Sequence, residues 1–462
     1  MFQTLKNAWK IPELKNKILF TLMIIILYRL GSNLPMPWVS TGALESMFGA
    51  GGSALSWFNT LSGGALAQAT LFALSVSPYI TASIVIQLLT IAIPKFEEWA
   101  KEGEAGKKKL SAITRILTVG LALVTAIGYT MLLANTNGML TFHNLTGNDA
   151  WTAGEKWFVY IVLVLAYCAG ASVIMWLAEK INEHGIGNGI SIILFANIIS
   201  GMPAMVSSIW SRCFTRWAAF ATNNNWRWIQ WPIGAVILVA FLAILLFAVV
   251  AVVWFSNSER RIPVQYAKRV VGRKMYGGQS TTLPIKLDMA GVMPVIFASS
   301  IVSILPTFAG FFPNSGFSKF VNAYLGHTSF PYIVMQLILI VAFAYFYIAI
   351  SFNPVEVSNN LRNNGGAIPG IRPGKPTVDY IKKILNRITL LGAIFLCALS
   401  GIPMIVNAVW VAVETATKGA SNGIQELAFS GTSLLIVVGV ALETFRELEA
   451  QMTLRNYKGF LD

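Results

Sequence analysis

Ten stretches of this chain stay apolar for long enough to cross a bilayer, and that pattern limits the fold before anything else does. They lie near Ile18–Leu34, Ala69–Ile93, Leu110–Ala134, Trp157–Ala178 and Ile190–Ile209, then Trp231–Phe255, Met289–Phe312, Pro331–Phe352, Ile388–Val413 and Leu427–Phe445. A crossing helix needs about 20 apolar residues, and lipid offers no partner to its backbone, so each run is read as a helix. Composition agrees: over 462 residues, 55% are hydrophobic and only 12% charged. Soluble domains carry about a quarter charged residues, so a soluble fold, a disordered tail and a collagen-like fibre are all excluded. The expected class is an all-α polytopic membrane protein with ten transmembrane helices. Cys168, Cys213 and Cys397 show no paired spacing, so neither a disulfide framework nor a CxxC zinc site is expected.

A net charge of +14 looks out of place in so apolar a chain. Sorting the 34 Lys and Arg residues by loop resolves this: 27 fall on one side of the ten spans and six on the other, with Arg29 inside the first span. By the positive-inside rule the crowded side is cytoplasmic, and both termini lie there. Residues 1–17 form a basic, amphipathic segment, with Trp9 and Ile11 among Lys6, Lys10, Lys15 and Lys17. It reads as a surface-lying helix, with an unstructured tail as the alternative. Residues 18–210 make a first half of five spans and 231–445 a second. An external hinge at 211–230 lies between them, and a tail covers 446–462. Five spans per half force the second half to run in the opposite sense, as in inverted-repeat membrane proteins. Gly42–Gln68 is too interrupted by glycine and serine to cross lipid. It is either an ordinary external loop or backbone lining a protein-walled cavity.

Much chemistry is missing. Apart from Arg29, no Asp, Glu, Lys or His lies deep within a span, and proton-coupled carriers depend on such groups. Arg29 reads first as structural, capping helix carbonyls or pairing near the interface. His143, His184 and His327 are far apart in loops, so no metal site is expected. Gly103–Lys107 (GEAGK) lacks the spacing and the following Ser or Thr of a phosphate-binding loop, and no strand leads into Gly365–Gly374 (GGAIPGIRPG). No nucleophile–base constellation stands out. Neither an enzyme nor a cofactor is expected.

Several long segments resemble one family, the SecY protein-translocation channels. They are Phe58–Thr90, Glu183–Ile198, Tyr266–Arg269 (YAKR), Gln279–Ile301, Ser351–Gly374 and Gly431–Val440. Their order, spacing and ten-span frame cover nearly the whole chain, and GIRPG with MAGVMPVIFASSI looks bacterial. The resemblance implies a passive protein-conducting channel in a bacterial plasma membrane. Unfolded preproteins with signal sequences would cross it, and hydrophobic segments would leave sideways into lipid. It further implies a waist ring of Val76, Ile80, Ile190, Leu194, Ile296 and Ile436. Val76/Ile80 and Ile190/Leu194 are each four apart, one turn apart on one helix face. Without the family, such aliphatic pairs are ordinary packing.

The same resemblance makes 42–68 a plug, a short helix bearing Phe58, Leu61, Ser62 and Gly63. It puts a lateral gate between spans two and seven, with Gln87, Asp288 and Ser300 as polar groups. The family commonly has Asn where this chain has Asp288. Loops 256–288 and 353–387 become docking surfaces for the ribosome and the motor ATPase SecA, through Arg372, Lys268, Arg269 and Arg273. A basic protrusion suits an RNA or acidic-protein partner, although part of that charge is simply the topology signal. SecE and SecG are the implied partner subunits. A secondary transporter of small solutes would share inverted halves, but it should carry intramembrane charged groups. A pure scaffold subunit would not need the plug-like segment.

Overall fold

The computed structural model describes the chain apart from residues 1–7, 43, 45–58, 60–61, 136–139, 141–152, 212–229, 267–268, 272–273, 277–279, 312–314, 327–328, 419–424 and 459–462. In chain order the first group of helices is α1 (Pro12–Ser32), α2 (Ser77–Ala92), α3 (Pro94–Lys101), α4 (Glu104–Asn135), α5 (Ala153–His184) and α6 (Gly189–Ser211). The second is α7 (Gln230–Asn257), α8 (Met293–Phe311), α9 (Gly316–Tyr324), α10 (Phe330–Ser351), α11 (Pro354–Asn363), α12 (Lys375–Lys418) and α13 (Gln425–Lys458). Helices stand at all ten places the hydropathy marked. Stretches within α4, α5, α7, α10–α11 and α12 are long and apolar enough to cross a membrane by themselves. α2 passes only as a pair with α3, and α6 and α8 contain shorter apolar stretches, Gly189–Pro203 and Met293–Pro306.

Span two departs from the expectation. The run from Ala69 is not helical until Ser77. Upstream, Met36 and Leu71 donate to the carbonyls of Ala69 and Leu34 at 3.1 and 3.0 Å, and Pro35 bridges Thr70. These ties hold 69–71 in a sheet-like pairing, and Ala69 and Ser75 turn through positive φ. Pro78 then sits in the first turn of α2, where its missing N–H costs nothing. At the other end Ile93 is extended and Pro94 opens α3, so α3 leaves α2 at 102°.

The loops on the basic side are more ordered than apolar periodicity alone suggests. β1 (Glu259–Tyr266) pairs antiparallel with β4 (Ser280–Lys286) and with β5 (Gly366–Ala367), giving the order β4-β1-β5. β2 (Arg269–Val271) and β3 (Lys274–Tyr276) make a separate hairpin. In β1, Ile262 and Val264 are buried while Arg261, Pro263 and Gln265 are exposed, the period of two expected of a half-buried strand. The buried side packs on Leu361, Ile368 and Ile381. One small sheet therefore joins the two loops read as separate docking surfaces.

Helix contacts fall into two groups. α2, α4, α5 and α6 pack in sequence, with α1 against α5 and α6. In the other group α8 packs on α10, α10 on α12, α12 on α13, and α13 on α7. The groups meet along two seams, α6 against α13 and α2 with α4 against α8.

Candidate functional site

The six predicted waist residues lie on, or at the cap of, four of the five helices that meet across those seams. Val76 is the N-cap residue of α2 rather than a residue inside it, yet its carbonyl still accepts from the Ile80 amide at 3.0 Å, keeping the two one turn apart. Ile190 and Leu194 lie in the first turns of α6, Ile296 in the first turn of α8, and Ile436 in α13. Val76, Ile80, Leu194, Ile296 and Ile436 belong to one buried cluster, each no more than 6% exposed, and half-buried Ile190 packs against it. Residues far apart in sequence thus share one apolar cluster, which also takes in residues of α1, α5, α10 and α12. α13 closely approaches the residue just before α8, because a Cβ on Gly439 would overlap the Val292 side chain. Aliphatic side chains at such a point offer no hydrogen bonds to water or ions.

On the side away from the basic loops, the chain leading into α2 is tied down by polar contacts. Asn59 accepts from the Gly64 amide at 2.8 Å, and its side chain accepts from the Ala67 amide at 2.9 Å. Ser62 Oγ donates to the Asn59 carbonyl and accepts from the Leu66 amide. Tyr129 of α4 donates to the Leu66 carbonyl at 2.7 Å, and Asn197 of α6 donates to Ser75 Oγ at 3.2 Å. Ser62 and Gly63 lie in this turn; Phe58 and Leu61 lie outside the described residues, as does most of the expected plug helix. Arg29 does cap a carbonyl, donating through Nη2 to Ala196 of α6.

Toward the basic side the waist opens into a cavity of about 840 Å³. Ile296 and Ser191 form part of its wall, with Lys286, Asp288, Glu443, Arg446 and Glu447 among the lining residues. Asp288 precedes α8, outside the span. Its carboxylate accepts from Ser256 Oγ at 3.1 Å. Burial pushes that carboxyl above the ordinary aspartate range, against the pull of the Ser256 hydroxyl and the Gly291 amide. Arg446 of α13 donates to the Ser256 carbonyl at 2.6 Å and to Asn257 Oδ1 at 2.8 Å. These contacts tie the start of α8 to the end of α7 and to α13. Gln87 donates to Ser83 of its own helix at 3.3 Å, and Ser300 is buried in α8. Gln87 and Asp288 are not hydrogen-bonded to each other across the α2–α8 seam.

Arg372 is exposed beyond β5, on a turn held by the Thr377 hydroxyl, which donates to the Arg372 carbonyl at 2.9 Å. Gly370 and Gly374 on either side have positive φ, which a non-glycine residue would adopt only with strain. Arg269 opens β2, while Lys268 and Arg273 lie outside the described residues. Two buried amides stand within the apolar helices. Asn197 is fully buried, and Gln336 of α10, 2% exposed, donates to Ser299 of α8 at 3.3 Å. Their signal was an amide inside an apolar run. Among the described residues, no three His, Cys, Asp or Glu side chains stand together as a metal site.

Two helix groups closing on an aliphatic waist, with a large charged-walled cavity at one mouth, define a multi-pass membrane channel. The SecY family model matches residues 70–445. The protein translocase subunit SecY of Mycobacterium bovis is 41% identical over 474 residues, covering 100% of both chains. The chain therefore belongs to the SecY family. Among solved structures, one described as a protein conducting channel has a TM-score of 0.56 at 17% identity, covering 94% of this chain and 92% of that one. A second, described as the plug domain of SecY stabilizing the closed state of the translocation channel, has a TM-score of 0.55 at 15% identity, covering 95% and 92%.

Proposed function

We infer that this chain is the protein-conducting subunit of a translocase, passing polypeptides through the constriction between its two helix groups. The observation that carries this is the convergence of Val76, Ile80, Ile190, Leu194, Ile296 and Ile436, from four helices of both groups, on one apolar cluster. A sleeve of aliphatic side chains binds no residue type specifically, so it can close around many and yields an unselective but ion-tight fit. The cavity on the basic side receives the chain, and the α2–α8 seam is the exit into lipid for hydrophobic segments. The segment around Ser62 and Gly63, with Phe58 and Leu61, acts as the plug. Gln87, Asp288 and Ser300 set the polar balance at the gate.

The pore is passive and needs a motor. Exposed Arg372 on its braced turn, with Lys268, Arg269 and Arg273 in the neighbouring loop, suits docking of SecA or the ribosome on the cytoplasmic face of a bacterial plasma membrane, and SecE and SecG complete the assembly. A secondary transporter is disfavoured, because the waist offers a solute no charged or coordinating group. The test is reconstitution of the chain with SecE and SecA in vesicles, followed by protease challenge of a preprotein. ATP-dependent protection is expected. A preprotein that stays fully digestible would sink the assignment.

A further inference from the structure

Between α8 and α10, at the end of the bundle away from the basic loops, lies the short helix α9. Its start is fixed by Ser315, whose Oγ accepts from the Ser318 amide at 3.1 Å. Its end is closed by the Leu325 amide, which donates to the Val321 carbonyl at 2.7 Å. One edge of the helix is packed: Ser318 and Val321 are each 1% exposed, and α9 rests mainly on α8 with a smaller contact to α10. Beside that edge stand Phe317, Phe320 and Tyr324, at i, i+3 and i+7 and therefore on one face. They are 47%, 60% and 56% exposed, and the Phe320 and Tyr324 rings are 4.9 Å apart. Lys319, also exposed, lies farther round the helix.

Three large exposed aromatic side chains on one face of so short a helix call for a partner. Their neighbours indicate which. The last two turns of α8 expose Leu305 and Phe308, and the first two turns of α10 expose Phe330 and Val334. α9 therefore sits where one span leaves the hydrocarbon and the next enters it, and its aromatic face extends the apolar surface those spans present to lipid. An amphipathic helix with aromatic residues on one side and lysine on another suits the plane of the interface, and aromatic rings are favoured at headgroup level.

We propose that α9 is an interfacial helix whose Phe317–Phe320–Tyr324 face docks on the bilayer surface remote from the basic loops, at the boundary between phospholipid headgroups and acyl chains. Because α9 packs on α8, this docking ties the end of α8 opposite Asp288 to the membrane surface. If the α2–α8 seam is the exit into lipid, as inferred above, the aromatic face holds one wall of that exit at a constant depth. The docking itself does not depend on that reading.

The test uses the chain carrying C168S, C213S and C397S, assembled with its partner subunits in vesicles of phosphatidylethanolamine and phosphatidylglycerol. A nitroxide is attached through F320C or, separately, through K319C. Its collisions with oxygen, which concentrates in lipid, and with a water-soluble nickel chelate are read by power-saturation EPR. The oxygen-to-nickel ratio should be several-fold higher at 320 than at 319. F317C and Y324C should match F320C, and they carry the test if F320C fails to assemble on blue native gels. A ratio at these positions no higher than at 319 would place the face in water and overturn the proposal. Protection from both reagents would put a protein partner there and overturn it equally. Transport plays no part in the readout, so failure of the docking and failure of the channel assignment are separately visible.

Discussion

The two approaches to the waist differ in how their polar groups are used. Away from the basic loops, Asn59, Ser62 and Tyr129 spend their hydrogen bonds on the backbone of one short segment, Asn197 binds the Ser75 hydroxyl, and Arg29 caps the Ala196 carbonyl of α6. On the basic side, Lys286, Asp288, Glu443, Arg446 and Glu447 instead line an open cavity of about 840 Å³. One approach excludes water by satisfying backbone internally; the other keeps charge where solvent can reach it. The difference teaches that the barrier is lopsided. On the proposed function, closure rests on the aliphatic ring and the tied segment, while the cavity receives what is about to enter.

The most severe way to break this asymmetry is to make the tied segment permanent. With G63C and S200C in an otherwise native chain, oxidation should bring export to background in the vesicle assay, and reductant should restore it; undiminished export with the crosslink intact would refute segment movement. Attacking the other side, R372E should cut SecA-driven translocation by about tenfold or more, on the scale of reversing a docking charge. Membrane assembly, read by blue native gels, should be unchanged; normal transport would remove Arg372 from docking. At the waist itself, I80N or I436N buries an amide among groups that cannot pair with it, costing about 1–3 kcal/mol. Several-fold higher ion leak is expected in planar bilayers, and unchanged conductance would count against the ring.

The smallest effect concerns the cavity wall. The Asp288 carboxyl is raised in the folded state, so the folded protein binds its proton more tightly than the unfolded chain does. The penalty of holding the charged form is therefore fully present above the folded value and vanishes below the ordinary unfolded one. D288N should melt higher than the native chain at pH 7 in detergent, with the gap closing as pH falls toward 4. A gap independent of pH would mean that burial of the charge is not what Asp288 costs.

Legibility followed periodicity. Helix positions were readable because lipid forces every span to be a continuous apolar run. Span two misled because its apolar pattern begins at Ala69, while the Leu34–Leu71 and Met36–Ala69 hydrogen bonds that keep 69–71 out of the helix involve residues some 35 positions away in sequence. The sheet was hidden because β5 is a two-residue strand contributed by a second loop. The candidate waist residues came from family motifs; their four-residue spacing alone is indistinguishable from packing, and the cluster they share also holds residues of α1, α5, α10 and α12. Arg446 was legible as a positive charge but not as a clasp, since Ser256 lies 190 residues earlier.

The three-stranded sheet ties distant parts of the chain in one further respect. β1 begins two residues after α7 ends, and β4 stops at Lys286, just ahead of Asp288 and the root of α8. β5 brings in the loop that carries Arg372. Anything that pulls on that arginine thus loads a hydrogen-bonded plate whose two outgoing cords lead to the base of one seam helix and the end of its neighbour. Backbone hydrogen bonds of the sheet thus link the loop carrying Arg372 to the end of α7 and to the approach to α8.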